Sequence, residues 1–154
     1  EGKLKKHFEH YFIPVVAAGG LVQQKTGRYL FIFRNKKWDL PKGKLNKKED
    51  LINGAVREVY EETNVGDLVV KKPLQTTYHL FKANGRYKLK KTHWYLMHTN
   101  YDGPLVPQIE ESIEKVVWCL PEEIPLLMSN AYENIKLIVE EVIYNRTASG
   151  TKEE

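Results

Sequence analysis

The segment from Asp50 to Thr63 constrains this chain more than any other, because its acidic residues Glu58, Glu61 and Glu62 stand at i, i+3 and i+4. At about 100° per residue, that spacing confines the carboxylates to one face of a helix. Ile52, Ala55, Val56 and Val59 fall on the adjoining face, so one side is built to pack on a sheet while the acidic side looks into a cleft. Asp50 suits the start of such a helix, since a short carboxylate accepts from the free N–H groups of the first turn. Like charges at this spacing oppose the helix by roughly a few tenths of a kcal/mol per pair. A hard divalent cation is the direct compensation, and oxygen-only ligands favour Mg2+ or Mn2+. The chain has no Cys/His cluster at zinc spacing and no aspartate-rich calcium loop. On spacing alone, a solvated acidic face serves equally well.

On either side of this helix the apolar runs are short, rich in β-branched and aromatic residues, and broken by turn formers, which reads as strands. Val15 to Gln23 and Tyr29 to Arg34 predict two strands joined as a hairpin through Lys25-Thr26-Gly27-Arg28. Pro41 and Gly43 interrupt regular structure ahead of the helix. Leu74 to Lys82 and Leu89 to His98 predict two more strands around Ala83-Asn84-Gly85-Arg86, since Asn-Gly is the strongest short hairpin signal. Lys115 to Leu120 reads as a further strand and Pro121-Glu122-Glu123-Ile124 as a helical turn. Asn130 to Tyr144 carries Ile135, Ile138, Val139 and Val142 at helical spacing. The tail from Arg146 is expected to fray. Strands and helices interleave without a strict βαβ rhythm or an internal repeat, which predicts an α/β (α+β) chain with helices covering a mixed sheet.

With 154 residues, 42% of them hydrophobic, the chain suits one domain spanning residues 1–154, with its core at about 15–145. The apolar run from Tyr11 to Val22 contains Pro14, Gly19 and Gly20 and falls short of the roughly 20 residues of a membrane span. A soluble protein with no membrane partner is expected. The lone Cys119 lies in Val116-Val117-Trp118-Cys119-Leu120, where a small buried thiol fits a reducing, cytoplasmic setting. The net charge of +4 gathers its basic residues at Lys3 to Lys6, Lys36 to Lys48 and Lys82 to Lys91, which suggests an anionic partner. No recognition motif accompanies the charge, so nucleic acid is not expected as a partner. The chain begins at Glu1 without an initiating methionine, which leaves open an upstream region that has been cut away.

A longer pattern frames the acidic helix. From Gly43, five residues lead to Glu49, seven more lead to Arg57-Glu58, and Val59, Tyr60, Glu61, Glu62, Thr63, Asn64 and Val65 follow. This resembles the Nudix box, G-x5-E-x7-R-E-U-x-E-E-x-G-U with U aliphatic, at every specified position except the last glycine, here Asn64. A helix terminus asks for positive φ, where asparagine is the usual second choice after glycine, so the helix is expected to end normally. Gly54 in mid-helix costs about 1 kcal/mol against alanine and implies close backbone packing. The resemblance covers roughly Val15 to Tyr144, since Ala17-Ala18-Gly19-Gly20-Leu21-Val22 resembles the family's first core strand and Trp38-Asp39-Leu40-Pro41-Lys42-Gly43 its lead-in. It implies an α/β/α sandwich with a mixed sheet and a loop-helix-loop metal site.

The same resemblance implies roles. Glu58, Glu61 and Glu62, with the backbone at Gly43, would hold magnesium ions that bridge phosphate oxygens and orient an attacking water. Arg57 would fix a carboxylate rotamer, such as that of Glu49, rather than touch substrate. The general base stays open between Glu111, in the loop Gln108-Ile109-Glu110-Glu111-Ser112-Ile113, then Glu58, then Glu110. Lys42, Lys44 and Lys91 are placed to meet phosphates. Tyr78, His79 and Phe81 would form a stacking wall for a base, a place that strand aromatics share with the core.

The lead-in and the aromatic hairpin are most similar to the dinucleoside polyphosphate and diphosphoinositol branches of the family. This implies an enzyme that splits phosphoanhydride bonds in nucleoside diphosphate derivatives, with a nucleotide such as diadenosine tetraphosphate as substrate. Pro73 lies too near the box for the proline of the ADP-ribose branch. A nucleoside triphosphate or ADP-ribose pyrophosphatase is the enzymatic alternative, and a non-catalytic nucleotide sensor is the alternative of another class. The sequence leaves the oligomeric state open.

Overall fold

Strand β1 (Ile13–Gln24) runs parallel to β7 (Arg86–Thr99), from Ile13 opposite Lys88 to Gln24 opposite Thr99. These two strands are the axis of a mixed sheet in the computed structural model, which describes residues 12–144. Beyond β7 lie two antiparallel strands end to end. β5 (Leu68–Pro73) pairs with its C-terminal half and β6 (Thr77–Ala83) with its N-terminal half. On the other side, β4 (Lys42–Lys44) pairs antiparallel with β1 at Ala17, Ala18 and Gly19. β2 (Tyr29–Arg34) meets β1 only at Gln23 opposite Tyr29, and pairs instead with β3 (Lys37–Asp39) and β8 (Ile113–Cys119).

Consecutive strand side chains point to opposite faces, so each buried strand feeds two cores. Val22, Leu30, Tyr95 and Met97 pack under α1 (Leu51–Thr63) through Ala55 and Val59. Their neighbours Leu21, Phe31 and Leu96, with Trp94, pack on the opposite face under α2 (Ile124–Met128) and α3 (Glu133–Val139), against Ile124, Ile135, Ile138 and Val139. Leu21, Phe31, Val59 and Ile138 are fully buried, each contributing about 1.5–3 kcal/mol relative to exposure. The result is the expected α/β/α sandwich.

Local signals explain the ends of α1. Asp50 Oδ1 accepts from Asn53 N at 2.7 Å, and Asn64 takes φ 69° while its N–H reaches Tyr60 O at 2.8 Å. A Cβ on Gly54 would strike Leu45 and lie 3.1 Å from Glu49 Oε1, which is the close packing that a mid-helix glycine implies. Asn84 and Gly85 take φ 53° and 77°, so the β6–β7 hairpin closes through the two-residue turn that Asn-Gly encodes. Cys119 is a buried free thiol.

Three expectations change. The β1–β2 hairpin survives only at its turn, because residues 41–44 take the place beside β1. Gly20 N donates to Pro41 O at 3.2 Å, and a Cβ on Gly19 would collide with Pro41 O. Strand β5 went unrecognised because it is largely exposed, and an edge strand ending at Pro73 carries little apolar signal. The last helix starts at Glu133 rather than Asn130 and widens into a π-helical turn at Glu140–Tyr144. The Lys3 to Lys6 cluster and the tail from Arg146 lie outside the described residues. Among the described residues, no helix is long and apolar enough to cross a membrane.

Candidate active site

Helix α1 presents Glu58 and Glu62 to a cavity of about 600 Å³ that residues of β2, β4, β6, β7 and the start of α3 also line. Glu58, Glu62 and Glu111 line it, as do Asp39, Arg34, Lys42 and Lys90. Thr77, Trp94, Tyr132 and Asn134 also line it. Trp94 Nε1 donates to Thr77 Oγ1 at 2.8 Å, and Asn134 Nδ2 donates to Tyr78 O at 3.0 Å, tying α3 to the hairpin.

Arg57 ties three of the carboxylates together. Its Nε and Nη2 donate to Glu49 Oε2 and Oε1 at 2.7 and 2.8 Å, while Nη1 donates to Glu58 Oε1 at 2.7 Å and Glu61 Oε2 at 3.0 Å. These charge-assisted bonds from Arg57, with a further one from Asn46 N, hold Glu49 down at about 2. Glu58 has the opposite tendency, because burial raises its pKa against the pull of Arg57. Gly43 makes room for it, since a Cβ there would overlap the Glu58 carboxylate.

Glu62 is 1% exposed. It accepts from Lys42 N at 3.0 Å and lies 3.6 Å from Arg34 Nη1. Burial lifts it to about 7, with Arg34 and Lys42 opposing the rise. Asp39 anchors the same cations, accepting through Oδ2 from Lys42 Nζ at 2.8 Å and Arg34 Nη2 at 3.2 Å.

The structure thus brings Glu58, Glu62, Glu111, Gly43, Lys42, Lys44 and His79 to one cavity. Glu61 shares the Arg57 nitrogen with Glu58 but lines a neighbouring groove with Tyr60 and Glu110. Lys91 and Tyr78 do not reach the cavity. Tyr78 pairs with Lys91 and His79 with Lys90, and adjacent strand residues face opposite ways, so Lys90 stands where Lys91 was expected. Tyr78, His79 and Phe81 are not core either, since His79 is exposed, the other two are half-buried and none joins the two cores. Arg34, Asp39, Lys90, Tyr132 and Asn134 were not foreseen. Period-two alternation was the available signal for Lys90, but nothing local marks the others.

The donors suit a hard divalent cation in type, being carboxylates, with burial raising the pKa of Glu58 and Glu62. Glu58 and Glu61 already converge on one positive nitrogen, Arg57 Nη1. No three acidic, imidazole or thiol side chains among the described residues converge as a ready ligand set, because Arg57, Lys42 and Arg34 engage the carboxylates.

The model of the NUDIX domain matches residues 13–140. The chain is 27% identical over 104 residues to the RNA pyrophosphohydrolase of Erythrobacter litoralis, covering 59% of this chain and 63% of that protein. It is 26% identical over 95 residues to the m7GpppN-mRNA hydrolase dcap-2 of Caenorhabditis elegans, covering 62% of this chain and 12% of that protein. The chain therefore spans less than two thirds of either relative. The C. elegans Ap4A hydrolase binary complex superposes with a TM-score of 0.64 at 22% identity, over 88% of this chain and 98% of that one, a likeness of fold. Because the family match runs from the first residue of β1 past the end of α3 and takes in the whole glutamate helix, this chain belongs to the Nudix hydrolase family.

Proposed function

We propose that the substrate is a dinucleoside polyphosphate such as diadenosine tetraphosphate, cleaved at a phosphoanhydride bond with Mg2+ as cofactor and Mn2+ able to replace it. The observation that carries this reading is the cavity itself, which Glu58, Glu62 and Glu111 line together with Arg34, Lys42 and Lys90. A polyphosphate needs cations along its length, and chemistry at phosphorus needs a carboxylate-bound metal beside them. When bound by Glu58, Glu61 and Glu62, the divalent ions that Nudix enzymes use supply charge neutralisation at phosphate oxygens and activation of water.

The chain's own groups do the rest. Glu111 borders the cavity with Glu58 and serves as general base, accepting the proton of the attacking water. Glu58, whose pKa is raised by burial, is the alternative. Arg57 fixes the rotamers of Glu58 and Glu61 through one shared nitrogen. Lys42, Lys44 and His79 flank the phosphate chain, while Tyr132 offers aromatic surface in the same cavity.

A second reading takes the polyphosphate from the 5′ end of an RNA. It is favoured by two relatives whose names are those of RNA hydrolases. One experiment covers both: product analysis with magnesium on diadenosine tetraphosphate, ADP-ribose, nucleoside triphosphates, a diphosphoinositol phosphate and a 5′-triphosphate RNA, with Glu61→Gln as the blank. Release of ATP and AMP from diadenosine tetraphosphate, lost in the blank, is the expected result. Turnover of the RNA alone selects the second reading, and turnover of nothing selects a nucleotide sensor.

A further inference from the structure

A second depression adjoins the cavity. This groove of about 310 Å³ is lined by the last turn of α1, at Tyr60 and Glu61, and by the loop at Val106, Gln108, Ile109 and Glu110. Helix and loop are tied together, because Val106 N donates to Thr63 O at 3.0 Å and Gln108 N to Glu62 O at 3.3 Å. The groove therefore exists before any ligand arrives, and a preformed pocket spares the ordering cost of binding.

Its lining differs from that of the cavity. The described residues that form it include no lysine, arginine or histidine, so a phosphate meets no counter-charge here, and Glu61 and Glu110 oppose one. What the groove offers is aromatic and apolar surface, with Tyr60 54%, Val106 52% and Ile109 79% exposed. Apolar side chains left open around one pocket mark a binding place. A nucleobase suits this one. Its face stacks on the Tyr60 ring, aliphatic groups pack around it, and Glu110 and Gln108 accept from an amino group at its edge.

Groove and cavity meet at the carboxylates. Glu58 lines the cavity and Glu61 the groove, and both accept from Arg57 Nη1, at 2.7 and 3.0 Å. Likewise Glu111 lines the cavity and its neighbour Glu110 the groove. A phosphate chain held at these carboxylates therefore reaches both pockets. Cleaving a dinucleoside polyphosphate releases two nucleotides, so the chain on each side of the reacting phosphorus carries a nucleoside that needs a seat.

We propose that the groove seats the second nucleoside of the substrate, with its base stacked on Tyr60 beside Val106 and Ile109, and that Tyr60 thereby selects substrates with a nucleoside at both ends. This rests on the dinucleoside polyphosphate reading and adds a site outside the cavity to it.

The test is calorimetric titration in magnesium with uncleavable, methylene-bridged analogues of diadenosine tetraphosphate and of adenosine tetraphosphate, which lacks the second nucleoside. Wild type, Tyr60→Ala, Tyr60→Phe and Ile109→Ala are compared, each checked by thermal melting, since substitutions at such exposed positions are tolerated by a fold. The wild type is expected to bind the two-nucleoside analogue about tenfold more tightly than the other, the contribution of one stacked base. Tyr60→Ala is expected to lose this preference by weakening the two-nucleoside analogue alone, Ile109→Ala to reduce it, and Tyr60→Phe to keep it. Equal affinity of the wild type for the two analogues overturns the subsite. So does a preference that survives Tyr60→Ala, or one that Tyr60→Phe loses equally. A dimer in sedimentation that Ile109→Ala dissociates assigns the groove to a second copy of the chain and also overturns it. Binding of neither analogue sinks the substrate reading and the subsite with it. Turnover of diadenosine tetraphosphate without a Tyr60-dependent preference sinks only the subsite.

Discussion

Arg57 grips Glu49 through two parallel bonds, Nε to Oε2 at 2.7 Å and Nη2 to Oε1 at 2.8 Å. This fork leaves Nη1 free to hold Glu58 and Glu61, so the loop before α1 and the carboxylates on it are set by one planar group. Lysine cannot reproduce that geometry. Arg57→Lys is expected to lower kcat about 10–100-fold, in the range for groups that orient metal ligands, with circular dichroism unchanged at neutral pH. Glu49, held at about 2, contributes stability that is present above its unfolded value of 4.5 and is lost as pH falls through about 2. The variant's acid transition should accordingly move to higher pH, and an unshifted transition would rule out the linkage.

Glu62 titrates in the opposite sense. Burial lifts it to about 7 from an unfolded value of 4.5. Between those values the folded chain binds more protons than the unfolded one, so stability falls as pH rises through this window and stays low above it. In EDTA, Glu62→Gln should remove this slope and stabilise the protein at pH 8 by on the order of 1–3 kcal/mol, because Gln keeps an acceptor for Lys42 N without a buried charge. Melting temperature against pH for both proteins checks it, and parallel curves refute it. Activity with magnesium should be lost in the same variant.

Gly43 is needed for space rather than for backbone freedom, since a Cβ there meets the Glu58 carboxylate, the movable end of a side chain. Gly43→Ala is therefore expected to displace Glu58 without unfolding β4. The forecast is a fall in kcat of about 100-fold, the penalty for roughly 1 Å of misplacement in a reacting site, with a melting temperature close to that of the wild type. Normal turnover would show that Glu58 works from another rotamer.

Asn64 takes φ 69°, and its Nδ2 donates to Tyr101 Oη at 3.0 Å and Pro104 O at 3.2 Å. Asn64→Ala should lose about 1–2 kcal/mol, from left-handed backbone strain together with the missing bonds. Asn64→Gly should lose less, because it relieves the strain. Urea unfolding of the two variants separates these contributions, and equal losses would assign the whole effect to the side-chain bonds.

The parts legible in the sequence are those whose cause is local. The caps at Asp50 and Asn64, the Asn84-Gly85 turn and the shared face of Glu58 and Glu62 each follow from residues within a few positions of one another. The hairpin shows where a local rule was available but set aside. Tyr78 and His79 are neighbours in a strand and cannot share a wall, so only one could line the cavity, and it is His79. Choosing between Lys90 and Lys91 then required the register, which pairs His79 with Lys90.

By itself, then, the sequence determined the glutamate helix, its amphipathic seating and the loop before it, because backbone periodicity and capping act over a turn or two. Only the tertiary structure decided that Arg34, Asp39 and Lys90 meet at the cavity. Arg34, Asp39 and Lys90 come from three strands, and their meeting depends on how β2, β3 and β7 are ordered about β1. The parallel pairing of β1 with β7 that sets this order joins segments more than 70 residues apart. No local preference encodes it, since it is selected by the burial of both sheet faces at once.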